Sequence, residues 1–129
     1  MILVDSSVWI DYFNGRVCAE TDRLDDLLGT ELLLTGDLIL IEVLQGFRSD
    51  RHFRRAQEFL GRLAYIDLVG RDVALAAAAN YRRLRRAGVT VRKTIDVAIA
   101  TRCIRDSHRL LYTDRDFDPM VEHLGLQPA

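Results

Sequence analysis

The chain has 129 residues, 49% of them hydrophobic, and a formal net charge of −1. That length suits one domain spanning residues 1–129, and the apolar content is enough for a real core. No apolar stretch could span a membrane, and the short apolar opening Met1–Val4 lacks the basic flank of a secretion signal, so a cytoplasmic protein is expected.

Cys18 and Cys103 have no metal-type spacing and read as reduced, packed thiols. His52, His108 and His123 are scattered and suggest no zinc site. The near-neutral total hides a segregation of charge. Residues 1–47 carry nine acids against two arginines, residues 48–109 fifteen basic residues against six acids, and residues 110–129 four acids against Arg115. Seventeen of the eighteen basic residues are Arg. Codon bias of a GC-rich genome accounts for that choice as readily as the bidentate grip of Arg on phosphate, but it does not explain the clustering.

Along the chain, Met1–Asp5 reads as a fully buried strand. Ser6 or Ser7 is expected to cap a short helix carrying Val8, Trp9, Tyr12 and Phe13, ended by Asn14-Gly15. Glu20–Leu28 reads as a helix stopped by Gly29, and Leu32–Thr35 as a short strand. The apolar segment from Gly36-Asp37 to Gly46 is too long for a typical buried strand and reads as helix. Arg51–Leu63 has Phe53, Ala56, Phe59, Leu60 and Leu63 at helical spacing. Tyr65–Leu68 reads as a strand, Arg71–Arg86 as a long helix stopped by Gly88, and Thr94–Arg105 as a helix with Thr94 as its cap. Leu110–Thr113 reads as a strand, and Asp116–Leu124 as a final helical turn or more. Strands alternating with helices imply an α/β fold, a parallel sheet flanked by helices. Ligands of such sheets bind beyond the carboxyl ends of the strands.

Four acids sit where folding alone would not put them. Asp5 and Asp114 end apolar runs, Glu42 is the one polar residue within Leu38–Leu44, and Asp96 continues the stripe of Ile99, Ala100 and Cys103. A buried unpaired charge is costly, and few cations lie near these acids in sequence. The competing structural roles are helix capping for Asp5, an amphipathic surface position for Glu42, a favourable first-turn charge for Asp96 and an acidic turn for Asp114, Asp116 and Asp118. Asp114, Asp116 and Asp118 alternate like the start of a calcium loop, but Pro119 and Gly125 stand where Gly and Glu are required. Asp116 is a second candidate ligand, and Asp118, before Pro119, reads as structural. Carboxylates converging without His or Cys would hold Mg²⁺ or Mn²⁺.

Four blocks carry a resemblance: Val4-Asp5-Ser6-Ser7-Val8-Trp9-Ile10-Asp11, Ile41-Glu42-Val43-Leu44-Gln45-Gly46, Thr94-Ile95-Asp96-Val97-Ala98-Ile99-Ala100 and Leu111-Tyr112-Thr113-Asp114-Arg115-Asp116-Phe117. In this order and spacing the chain resembles PIN-domain ribonucleases, specifically the VapC-like toxins of bacterial toxin–antitoxin modules. The resemblance implies RNA hydrolysis by a metal-activated water, a homodimer, and an antitoxin that blocks the site. It implies Asp5, Glu42, Asp96 and Asp114 as catalytic metal ligands, with Asp116 as a further ligand and a Ser6 or Ser7 hydroxyl in support. Arg92 and Lys93 are expected to contact RNA phosphate, because cations before a helix N-terminus gain nothing from its dipole. The arginines at 82, 83, 85 and 86 are as well explained by the favourable dipole at a helix end. Two other readings stand beside this one: an inactive metal-binding interaction module, and a DNA-directed nuclease using the same acids. An aspartyl-phosphate phosphatase is disfavoured, because Ser6 and Ser7 follow Asp5 where that chemistry wants a second aspartate.

Overall fold

The computed structural model describes residues 1–129. Its strands are β1 (Ile2–Val4), β2 (Leu33–Gly36), β3 (Ala64–Ile66), β4 (Arg109–Leu111) and β5 (Gln127–Pro128). They form one sheet in the order β3-β2-β1-β4-β5, and every pair is parallel. The helices are α1 (Ser6–Phe13), α2 (Ala19–Leu27), α3 (Asp37–Leu44), α4 (Asp50–Leu60), α5 (Gly70–Arg86), α6 (Thr94–Asp106) and α7 (Asp118–Leu124), with a 3₁₀ turn at Arg115–Phe117. This is the parallel α/β architecture that the alternating pattern predicts. No helix is long and apolar enough to cross a membrane.

β1 is the centre of the sheet. Ile2 sits opposite Leu33 on one side and Arg109 on the other, and Leu3 sits opposite Leu34 and Leu110. All three β1 residues are buried, as a strand enclosed by neighbours and covered by helices requires. The chain goes from β1 to β2 on one side, but it reaches β4 on the other side only after β3, α5 and α6. The strand order therefore reverses between β1 and β4, and a cleft opens at their carboxyl ends.

The helices pack in two groups, α1–α4 and α5–α7. Trp9 anchors the first. Its ring is fully buried, stacks on Phe13 at 5.7 Å and meets the Phe59 edge at 5.7 Å. In the second group Asn80 of α5 donates to the Thr101 hydroxyl of α6 at 3.0 Å. Arg102 of α6 donates to the carbonyls of Leu68 and Val69 at 2.9 and 3.0 Å. That guanidinium ties the loop after β3 to the helix that carries Asp96. Cys103 is buried in the core, and burial pushes its thiol up to about 12, so it stays protonated and packed.

Several local expectations shift. The cap of α1 is Asp5, whose carboxylate accepts from the Ser7 amide at 3.1 Å. Neither serine takes that role, because the chain turns one residue earlier. Thr94 is the first residue of α6 and Lys93 holds the cap position without a side-chain cap bond. Strand β4 ends at Leu111, so Asp114 lies three residues beyond it. Strand β5 has no counterpart in the expectations. It is two exposed residues held by backbone pairing to β4.

Gly36 shows how tightly β2 passes into α3. Its backbone is extended (φ −157°), so any residue could adopt it. A methyl group there would instead sit 2.8 Å from the Ile66 carbonyl oxygen and collide with the Leu68 side chain. Gly36→Ala should destabilise the protein by about 1–3 kcal/mol, read as a lower urea midpoint with an unchanged slope. An unaltered midpoint would show that Leu68 and the β3 end yield freely.

Candidate metal centre

Three elements deliver acids directly to the cleft. Asp5 follows β1, Asp114 and Asp116 follow β4, and Asp96 projects from the first turn of α6. Glu42 approaches from α3, which leaves the carboxyl end of β2. The carboxylate oxygens of Asp96, Asp114 and Asp116 come within 4.8 Å of one another. Asp5 and Glu42 stand outside that tight group but are electrostatically joined to it, since Asp5, Glu42 and Asp114 all raise the pKa of Asp96.

Each acid is held differently. Asp5 is buried, and its two oxygens have separate surroundings. Oδ2 accepts from the Ser7 amide at 3.1 Å and the Ser7 hydroxyl at 2.5 Å, whereas Oδ1 is buried with no hydrogen bond. The Ser7 oxygen in turn accepts from the Thr113 amide at 3.3 Å, tying the end of β1 to the loop after β4. The Ser6 hydroxyl donates to Glu42 Oε1 at 3.2 Å. Both serines thus support acids, one each, where the sequence left the choice open.

Glu42 is half-buried, and Ile41 beside it turns outward and is 58% exposed. Asp96 is buried, and its Oδ2 has no hydrogen bond. Asp114 Oδ1 accepts from the Asp116 amide at 3.0 Å. Asp118 takes a different role, accepting from the Tyr112 hydroxyl at 2.9 Å outside the cluster.

Lys93 is the contact that sequence reasoning missed. Its ammonium lies 2.5 Å from Asp114 Oδ2 and 4.0 Å from Asp96 Oδ2. The acids therefore do have a cation beside them. Its i,i+3 spacing to Asp96 was the available signal. Arg92, next to it, is exposed and makes no ion pair with an acid.

Electrostatics follow from this geometry. Burial, then the charges of Asp5, Asp114 and Glu42, push Asp96 up to about 7 against the pull of Lys93. Burial raises Asp5, with Asp114 adding to it against the Ser7 hydrogen bonds. Burial and the Asp5 charge raise Glu42. Asp114 alone is lowered: burial opposes ionisation, but Lys93 and the Asp116 amide together outweigh it.

The donor set suits a hard divalent cation. All candidate ligands are carboxylate oxygens, and two buried oxygens, Asp5 Oδ1 and Asp96 Oδ2, have no protein donor. A buried acceptor left unsatisfied is expensive, and a cation between these acids would relieve both the desolvation and the mutual repulsion.

The PIN domain family model matches residues 2–121. The chain is 32% identical over 131 residues to a VapC ribonuclease of Mycobacterium bovis and to ribonuclease VapC11 of Mycobacterium tuberculosis, covering 100% of this chain and 98% of each relative. Among solved structures, VapBC2 of Rickettsia felis bound to a promoter DNA fragment superposes with a TM-score of 0.78 at 17% identity, over 100% of this chain and 98% of that one. VapC20 of Mycobacterium tuberculosis, described as a toxin that cleaves the sarcin–ricin loop, superposes with a TM-score of 0.69 at 15% identity, over 92% and 93%. FitAcB of Neisseria gonorrhoeae gives 0.70 at 17%, over 99% and 96%. An all-carboxylate cleft at the strand reversal, a family match across nearly the whole chain and full-length likeness to named ribonucleases agree: the chain belongs to the PIN-domain family, among the VapC ribonucleases.

Proposed function

We infer that this protein is the toxin of a toxin–antitoxin module and acts as a metal-dependent endoribonuclease. The observation that carries the reading is the pair of buried, undonated oxygens on Asp5 and Asp96, set among acids at the strand reversal. Asp5, Glu42, Asp96 and Asp114 would hold Mg²⁺, with Mn²⁺ able to substitute, and Asp116 stands close enough to join them. A divalent ion bound there lowers the pKa of a water and neutralises charge on the attacked phosphate.

The chain's own groups do the rest. Ser7 fixes the rotamer of Asp5, and Ser6 steadies Glu42. Asp96, buried and shielded, keeps its carboxylate in a low-dielectric wall where electrostatic effects are strong. Arg92 and Lys93, four and three residues before Asp96, flank the cleft as phosphate contacts. In-line displacement at phosphorus would leave a 5′-phosphate and a 3′-hydroxyl.

The partner fits the aromatic face of the first helix group. Phe13, Phe47, His52, Arg55 and Phe59 line an open groove of about 530 Å³, suited to the apolar side of an antitoxin helix. The VapBC neighbours and a toxin–antitoxin complex of Klebsiella pneumoniae support an antitoxin as the partner; the case for this groove is its apolar lining. A second apolar groove, about 490 Å³ between α5 and α6 and lined by Ala77, Ala78, Tyr81, Val97 and Ala98, suits a second copy of the chain in a cytoplasmic homodimer. Co-expression with the adjacent upstream reading frame should yield a stable complex and relieve toxicity, with light scattering reading two toxin chains. Absence of both complex and relief would rule out the antitoxin reading.

Asp5→Asn or Asp96→Asn should lower RNA cleavage by roughly a thousandfold, the several kcal/mol that metal charge stabilisation supplies, and excess chelator should abolish cleavage in the wild type. Full activity in either variant, or in chelator, would sink the mechanism.

The pH dependence has a definite sign. Asp96 binds its proton more tightly folded (about 7) than unfolded (3.8), so in chelator its contribution to stability is greatest below the unfolded pKa and is lost as pH rises toward 7. Asp96→Asn should remove that slope and raise the melting temperature at pH 7.5 by several degrees, about 1 kcal/mol of relieved repulsion. Metal affinity should run the other way, falling as pH drops below 7 because protons compete for the same oxygens. Calorimetric Mn²⁺ titrations at pH 5.5 and 7.5 that return equal affinities would contradict this.

Arg92→Ala, in an Asp5→Asn background, should weaken RNA binding and reduce the slope of log affinity against log salt by roughly one unit or less. An identical slope would remove Arg92 from the phosphate interface.

A further inference from the structure

Lys93 occupies a position that helix energetics disfavour. It caps α6 without a cap bond, and a cation at a helix N-terminus meets the positive end of the dipole. Its compensation is the acid cluster. The ammonium touches Asp114 Oδ2 at 2.5 Å and stands 4.0 Å from Asp96 Oδ2, the buried oxygen that no hydrogen bond satisfies. Its side chain is 53% exposed, against 24% for Asp114 and 6% for Asp96, so it reaches the cluster from solvent and has an open path out. A lysine ammonium is charged at neutral pH. Arg92, carrying the same charge one residue earlier, makes no ion pair with these acids and acts on Asp114 only through its more distant charge.

We propose that Lys93 is a tethered counter-cation of the acid cluster, and that its ammonium and a divalent ion compete for Asp114 and Asp96. Lys93 holds the acids together against their mutual repulsion and sets the ion concentration at which the site fills. This rests on the metal reading above. It differs from a phosphate contact alone, which would leave metal affinity untouched.

The test is calorimetric titration of Mn²⁺ into full-length chelator-treated protein at pH 7.5, comparing wild type with Lys93→Met, Lys93→Arg and Arg92→Met. Lys93→Met should tighten Mn²⁺ binding by roughly two- to fivefold, the range set by losing a half-exposed ion pair. Lys93→Arg, which keeps a reaching cation, should stay near wild type, and Arg92→Met should change affinity less than Lys93→Met. In chelator Lys93→Met should melt below wild type, and saturating Mn²⁺ should close that gap. Unchanged or weaker Mn²⁺ binding by Lys93→Met overturns the proposal, as does equal tightening by Arg92→Met, which would indicate a general field and not a contact. A melting gap that persists in Mn²⁺ also overturns it. If wild type binds no Mn²⁺ at all, the metal reading itself fails, and the proposal with it.

Discussion

Like charges brought together out of water repel more strongly than in water, and this protein is organised around such a repulsion. Asp5, Glu42, Asp96 and Asp114 come from four separate segments, and the charges of the other three all act on Asp96. Nothing local favours the gathering. It is enforced by the parallel register of β1 between β2 and β4, which brings two strand ends side by side, and by α6 packing across β4. The apolar core supplies the free energy that holds the acids in place. Trp9, Leu3, Leu34, Ile99 and Leu110 are all fully buried in that core. Burial of that kind contributes on the order of 1.5–3 kcal/mol for each large side chain, against a repulsion that Lys93 and the serines partly relieve.

The supporting polar groups divide into local and long-range ties. Ser7 works locally on Asp5, yet also accepts from Thr113 across the sheet. Arg102 has no part in the cleft, but its guanidinium fixes the carbonyls after β3 to α6. A shift of α6 would therefore disturb the far edge of the sheet as well as Asp96. The site is enclosed at Asp5 and Asp96, which the core buries. It is open to solvent on the side of Lys93 and Arg92, where a long polyanion would have to enter.

Much of this was legible in sequence because the signals are apolar runs. The strands Ile2–Val4 and Leu33–Gly36 and the stripe of α6 announce themselves by burial, and the acids are conspicuous by interrupting them. What was not legible depends on distance or on ties without side-chain pattern. Asp and Ser are equally good helix caps, so only the turn of the backbone decides for Asp5. Lys93 and Asp114 are 21 residues apart and meet because the chain crosses from α6 to β4. β5 is held by backbone bonds alone, so Gln127 and Pro128 need no apolar alternation. Glu42 stands among apolar neighbours in sequence yet is only half-buried, because one of them, Ile41, faces outward in space.

The two oxygens of Asp5 have a consequence for how such a protein could lose its chemistry. One oxygen caps the first helix, and the other is buried without a donor. An asparagine or serine at this position would still begin the helix, since both are strong caps, while offering the cluster no charge. The helix cap and the charge of the cluster are thus separable at a single side chain. A change at this one position would remove a carboxylate from the cluster and leave the helix start in place, so a well-folded copy with an altered cluster could persist.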